Sequence, residues 1–188
     1  GSPYVITTKD FKAGAFTKFS SDSNGSPGKL LLSLPNFDAR TRPWYKVGRE
    51  AVGGAWSEIY ILFTGNDMAI TPSRAVRSDD GVLMGVVGGD IFLSGISRFL
   101  RQLHDKQPGY TFIFDNSGLL VASSDKERPF NVSEDGKLKT RIAAMDSTVK
   151  EISLGSKLIM ENFSDLKAID SYKSLEFEID GKTNFVEV

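Results

Sequence analysis

Between Asn36 and Tyr45 the chain reads Asn-Phe-Asp-Ala-Arg-Thr-Arg-Pro-Trp-Tyr, placing Arg40, Arg42, Trp44 and Tyr45 behind a turn. A packed core has no use for that combination. A guanidinium offers a planar fork of donors that suits a carboxylate, and Trp and Tyr supply rigid aromatic walls with polar tips. Such a group is costly to bury alone, so a ligand or a buried acid is its natural complement. Asp90 is the other polar candidate, after the glycine-rich apolar run Gly85-Val86-Val87-Gly88-Gly89. The alternatives are structural. Arg42 could form an ion pair with Asp38 or Asp90, Trp44 and Tyr45 could be core aromatics, and Asp90 could cap the helix that follows. Arg40 and Asp38 are expected to brace the turn.

The bulk properties remove several classes of function. Lys and Arg total 23 against 24 Asp and Glu, a net charge of -1, so no nucleic-acid footprint is indicated. The absence of cysteine excludes disulfides, thiolate nucleophiles and cysteine metal sites. His104 is the only histidine, and one histidine makes neither a metal site nor a triad. No nucleophile stands beside a base at a recognisable spacing, so neither catalysis, metal nor cofactor is expected. A hydrolase built on Asp90 and Arg42 is the residual enzyme reading. Gly88-Gly89 is not followed by Lys-Ser/Thr, which points to close packing rather than a phosphate loop. No apolar run reaches membrane-spanning length. The opening Gly1-Ser2 reads as a cloning scar, hence as a piece of something longer.

The elements that must position these residues follow from pattern. Residues 19–28 are rich in Ser, Gly and Asn and read as a loop, with a strand over Lys29–Leu34. Pro43 is placed to open a helix running to Ala51. Strands are expected over Ile59–Phe63 and Ala69–Val76, with Asp79-Asp80-Gly81 turning the chain into an apolar run to Ile91. Leu93, Ile96, Leu100 and Leu103 fall at helical spacing and predict a helix from about Leu93 to His104. Tyr110–Phe114 and Leu119–Ser123 flank Asn116-Ser117-Gly118 as a hairpin. A polar loop over Ser124–Gly136 precedes helical patterns around Ile142–Val149 and Leu158–Leu166. Leu175, Phe177 and Ile179 alternate with acids as a half-buried strand, turning at Asp180-Gly181. This order predicts an α+β fold with two antiparallel sheets flanked by helices and linked by the helix near 93–104.

Phe37 to Tyr45 resembles the Tyr-Asp-Pro-Arg-Thr-Arg-Pro-Trp-Tyr motif of double Cache domains, the extracytoplasmic, PAS-like sensor regions of bacterial chemoreceptors, histidine kinases and nucleotide cyclases. Trp56-Ser57-Glu58-Ile59-Tyr60 is similar to the Trp-Ser-x-x-Tyr that follows it, and Gly85–Ile91 to the strand closing the ligand-binding module. The resemblance covers residues 29–123 well and the rest loosely. It implies a membrane-distal Cache-like module over 3–91 and a membrane-proximal one over 92–188, incomplete at its C-terminus. The family's long N-terminal helix and first strands are expected to be missing. It also implies a periplasmic or extracellular location, a membrane-anchored parent, a possible homodimer, and a small-molecule ligand such as an amino acid or carboxylate. By the same resemblance Arg42 and Trp44 meet the ligand carboxylate, Tyr45 and Asp90 its ammonium, and Tyr60 lines the pocket. Phe37 stands where amino-acid sensors have a tyrosine, and Leu62 where some place a second acid; these departures favour a smaller ligand or one without an amine. They also sustain the rival reading of a ligand-free structural or dimerisation module.

Overall fold

The computed structural model of the chain describes residues 4–7, 14–136 and 138–188. It is an α+β fold in which every strand pair of described register is antiparallel. The sheets are small, six of two or three strands among the described residues, rather than two continuous ones. The chain divides into two compact units, one holding residues up to 64 together with 69–91, the other 65–68 with 92–188.

The first unit opens with β1 (Tyr4–Thr7), β2 (Gly14–Ser21) and β3 (Pro27–Phe37), which pair in that order. Residues 4–37 thus carry three strands where one, over Lys29–Leu34 and now part of β3, was expected. The predicted loop over 19–28 shrinks to Asp22–Ser26, because the Asp22 carboxylate accepts the Asn24 and Ser26 N–H groups, both at 2.9 Å. That local bonding closes a tight turn and frees both flanks to pair. Asp38 then caps a short 3-10 turn over Ala39–Thr41. Helix α1 (Pro43–Glu50) follows, with Arg42 at its N-cap and Pro43 just inside it. There the missing proline N–H costs nothing and its fixed φ suits the first turn.

Next come β4 (Gly54–Trp56), β5 (Tyr60–Ile61), β6 (Met68–Ile70), β7 (Pro72–Arg77), β8 (Leu83–Gly88) and β9 (Ile91–Phe92). They form two sheets, ordered β4-β7-β8 and β5-β6-β9. The strand expected over Ala69–Val76 is therefore two, divided at Thr71. Pro72 has no N–H to donate to a ladder, so the chain changes sheets there. Only Tyr60–Ile61 of the strand predicted over 59–63 pairs. Helix α1 lies against β7 and β8 through Gly48, where a Cβ would come within 2.6 Å of Val86 Cγ1 and 2.7 Å of Ser73 Cβ. Only glycine permits that approach.

The second unit contains α2 (Leu93–Leu103), β10 (Phe112–Phe114), β11 (Leu120–Ser123), β12 (Phe130–Val132), β13 (Lys139–Arg141), α3 (Lys150–Asn162), β14 (Ser174–Ile179) and β15 (Lys182–Glu187). Helix α2 occupies the predicted span and His104 is its C-cap. The imidazole holds the following turn, meeting the Pro108 carbonyl at 3.2 Å and Thr111 Oγ1 at 3.1 Å. The core here is Leu120, Ala144 and Ile152, packed by Phe112, Phe114 and Val149. Two expectations change. The polar loop over 124–136 contains β12, which pairs with β13. Of the helical stretches around 142–149 and 158–166, the first is only a 3-10 turn at Ala144–Asp146, while the second falls partly in α3, which starts earlier and ends at Asn162. Strand β14 alternates as predicted, and Asp180 and Gly181, both at positive φ, close its hairpin with β15. Among the described residues no helix is long and apolar enough to cross a membrane.

Candidate ligand site

Three elements of the first unit converge on one polar cluster: the start of α1 brings Arg42, β5 brings Tyr60, and the turn after β8 brings Asp90. Asp38 settles Arg42's direction by taking Arg40 instead. It accepts the Arg40 backbone N–H at 2.9 Å and its guanidinium at 2.7 Å, the predicted brace of the turn. Arg42 is thereby left to point elsewhere. Its Nη2 donates to the Ile61 carbonyl at 2.8 Å, and its guanidinium carbon sits 5.4 Å from the centre of the Tyr60 ring. Among the described residues no acid forms an ion pair with it. Burial lowers the Arg42 pKa from its ordinary value, opposed by the charges of Tyr60 and Asp90 nearby.

Tyr60 is 9% exposed. Its hydroxyl lies 2.9 Å from Thr71 Oγ1 and 3.1 Å from Asp90 Oδ1, within hydrogen-bond reach of both. Thr71 Oγ1 donates to the same Asp90 oxygen at 2.6 Å. Burial pushes the Tyr60 phenol up to about 12, with its Thr71 bond working against that and Asp90 adding to it. Thr71 is itself fixed by a reciprocal pair of bonds to Ser57: its N–H donates to Ser57 Oγ and its carbonyl accepts the Ser57 N–H, each at 3.0 Å.

Asp90 does not cap α2, the alternative its position allowed. Asp67 meets the helix start instead, accepting the Ser94 hydroxyl at 2.6 Å and the Ser94 N–H at 3.2 Å. Trp44 and Tyr45 stand at the start of α1, half-buried, their rings edge-to-face with centroids 5.6 Å apart. Phe37 lies at the end of β3 in a cluster with Phe16 and Phe63, at ring distances of 5.2 and 4.9 Å. The structure thus brings Arg42, Tyr60 and Asp90 together, sets Trp44 and Tyr45 beside one another, and places Phe37 in an aromatic cluster.

Two participants escaped sequence reasoning. The Ile61 carbonyl carries no side-chain signal. Thr71 does carry one, as the lone hydroxyl in Met68-Ala69-Ile70-Thr71-Pro72. Chemically the cluster presents a cation held by neutral groups, a carboxylate with one oxygen occupied by hydroxyls, and a phenol. It can grip an anion and a cation on one small molecule, and it contains no activated nucleophile.

The profile of the family described as methyl-accepting chemotaxis protein-like, first PDC sensor domain, matches residues 3–98, just over half of the chain. The methyl-accepting chemotaxis protein McpG of Pseudomonas putida is 38% identical over 91 residues, covering 48% of this chain and 14% of that protein. McpC of Bacillus subtilis is 30% identical over 136 residues, covering 69% of this chain and 20% of that protein. The chain therefore spans a fifth or less of the length of these curated relatives. Among solved structures, the ligand-binding domain of the Campylobacter jejuni chemoreceptor Tlp3, in complex with 4-methylisoleucine, superposes with a TM-score of 0.51 at 17% identity, covering 98% of this chain and 59% of that one.

Proposed function

The chain belongs to the family of methyl-accepting-chemotaxis-protein-like first PDC sensor domains, and from that premise we propose that it senses a small amino acid or carboxylate through Arg42, Tyr60 and Asp90. Arg42 pairs with the ligand carboxylate. Asp90, backed by Tyr60, holds an ammonium where the ligand has one. Trp44 and Tyr45 wall the site, and Phe37 adds an apolar surface from its aromatic cluster. Occupancy favours one geometry of the pocket and biases a signalling element elsewhere in a membrane-anchored receptor, with this module on the extracytoplasmic side. The ligand named for the Tlp3 domain, an amino-acid derivative, is of the same class.

One observation carries the reading. A half-buried guanidinium and a carboxylate share a cluster without forming an ion pair, the guanidinium held by a carbonyl and a ring, the carboxylate by two hydroxyls. Drawing the Arg42 guanidinium part-way out of water without an acid to pair it is costly, and a ligand carboxylate entering beside it offsets that cost.

A thermal-shift screen against the twenty L-amino acids and small carboxylates, with Arg42→Ala in parallel, tests this. Ligand at a hundred times its dissociation constant should add about 2.7 kcal/mol of apparent stability. Loss of one charge-assisted bond, about 1.5–3 kcal/mol, should weaken the hit roughly tenfold to a hundredfold in Arg42→Ala. Equal affinity in the variant would remove Arg42 from the site, and a flat screen would favour a structural module.

A further inference from the structure

Three oxygen–oxygen contacts join Tyr60, Thr71 and Asp90, at 2.6 Å for Thr71 to Asp90, 2.9 Å for Tyr60 to Thr71 and 3.1 Å for Tyr60 to Asp90. A carboxylate brings acceptors and no proton, so two hydroxyl protons must serve three contacts. The shortest claims the Thr71 proton. The Tyr60 proton then has two acceptors to choose from, and the nearer is Thr71 Oγ1. The result is a chain, Tyr60 O–H to Thr71 O–H to Asp90, in which each bond polarises the next.

From this ordering we propose that Thr71 is a positioning residue that sets which ligands the site accepts. By taking the Tyr60 proton and passing its own to Asp90 Oδ1, it leaves the Tyr60 phenolic oxygen and Asp90 Oδ2 as two acceptors. Among the described residues nothing donates to Oδ2. Two convergent acceptors suit an ammonium, and they offer nothing to a carboxylate that lacks one. Without Thr71 the Tyr60 proton turns to Asp90, and the pair is no longer ordered for a cation.

The rest of Thr71's environment fits the task. It is 1% exposed, and both its backbone groups are tied to Ser57. Its methyl lies against Gly88, where a Cβ would come within 3.1 Å of Thr71 Cγ2. That packing holds the side chain in one rotamer and turns the hydroxyl toward Tyr60 and Asp90. A threonine needed only for shape would be equally served by valine.

The proposal rests on the ligand reading of this site, and its test separates the two. Thr71→Val keeps the shape and removes the hydroxyl, and Thr71→Ser keeps the hydroxyl. In the ligand-free chain with ζ-13C-labelled tyrosine, the Tyr60 carbon signal, assigned through Tyr60→Phe, should move in Thr71→Val and return in Thr71→Ser. Titration calorimetry then compares the twenty L-amino acids with their des-amino carboxylates. Thr71→Val should weaken the bound amino acid about tenfold and the matching carboxylate by less than about twofold, with Thr71→Ser recovering most of the loss. Equal losses on both ligands, or an unmoved carbon signal, overturn the role of Thr71 alone. A parent chain that binds neither class overturns the ligand reading and this proposal with it.

Discussion

Arg42 in the first unit and Arg141 in the second are both drawn out of solvent, yet the fold treats them differently. Arg141, its side chain 13% exposed, pairs with Asp115 at 2.6 Å and donates to the Leu119 and Leu120 carbonyls at 3.2 and 3.3 Å. It ties β13 to the chain around β11, and its charge is answered within the protein. Arg42 has a carbonyl and an aromatic face and, among the described residues, no acid in an ion pair. One guanidinium is a strut. On the proposed reading the other is left for a ligand. Burial alone does not tell them apart; what matters is whether an acid of the fold completes the fork.

The sharpest way to break that contrast is to remove each in turn. Arg141→Ala leaves Asp115 without its partner, a loss of about 3 kcal/mol for a mostly buried pair. At this chain length that lowers the melting temperature by about 6–12 °C. Arg42→Ala should change stability by less than about 1 kcal/mol, because its lost carbonyl bond is offset by relief of desolvation. Its effect falls on ligand affinity. Thermal melts of both variants beside calorimetric titrations would show one column of losses for each arginine. A destabilisation by Arg42→Ala as large as that of Arg141→Ala would make Arg42 a strut as well.

Several elements that frame this contrast could be anticipated from the sequence, but Arg141 carried no signal and the deciding contacts did not show. Pro43 announced α1, the spacing of Leu93 to Leu103 announced α2, and alternation announced β14. Those signals are local and repeat with the element's own period. The contacts that assign roles are not local. Thr71 meets Tyr60 from eleven residues away and Asp90 from nineteen, and Phe37 meets Phe16 across twenty-one. Arg42 had two acids within reach on paper; the expected Asp38–Arg40 brace removes one, and only the structure shows Arg42 turning to the Ile61 carbonyl rather than pairing with Asp90. The hairpin of β12 and β13 was hidden because its surroundings are polar enough to read as loop, and the division of β6 from β7 depends on where Pro72 falls among pairing partners.

A smaller effect should come from moving Arg42 without touching it. Gly48 is where α1 approaches β7 and β8, and a side chain there meets Val86 and Ser73 well inside contact distance. Gly48→Val should cost about 1–3 kcal/mol by overpacking. It should also lift α1 and carry Arg42 away from the Ile61 carbonyl, so affinity falls further than in a variant of equal stability elsewhere. Arg141, on β13, should keep its pairing with Asp115. Melting curves and calorimetry together check this. Unchanged affinity would mean that the Arg42 position is set by the 3-10 turn and its Asp38 brace rather than by helix packing.

The smallest effect concerns Tyr60, whose phenol is pushed up to about 12 against an ordinary value near 10. A folded-state pKa above the unfolded one means that the native chain keeps its proton where the unfolded chain has lost it. The associated stability is therefore fully present below about pH 10 and is lost as pH rises toward 12. Other tyrosines and the lysines titrate in the same window, so the informative quantity is a difference between variants. Tyr60→Phe should be less stable than the parent at pH 8, where the bonds to Thr71 and Asp90 are missing, and the gap should narrow between about pH 10 and pH 12. Urea melts of both chains at three pH values read it directly. A gap independent of pH would mean that Tyr60 ionises in the fold as it does in the unfolded chain, and that its hydroxyl is less buried in the Thr71–Asp90 cluster than the distances indicate.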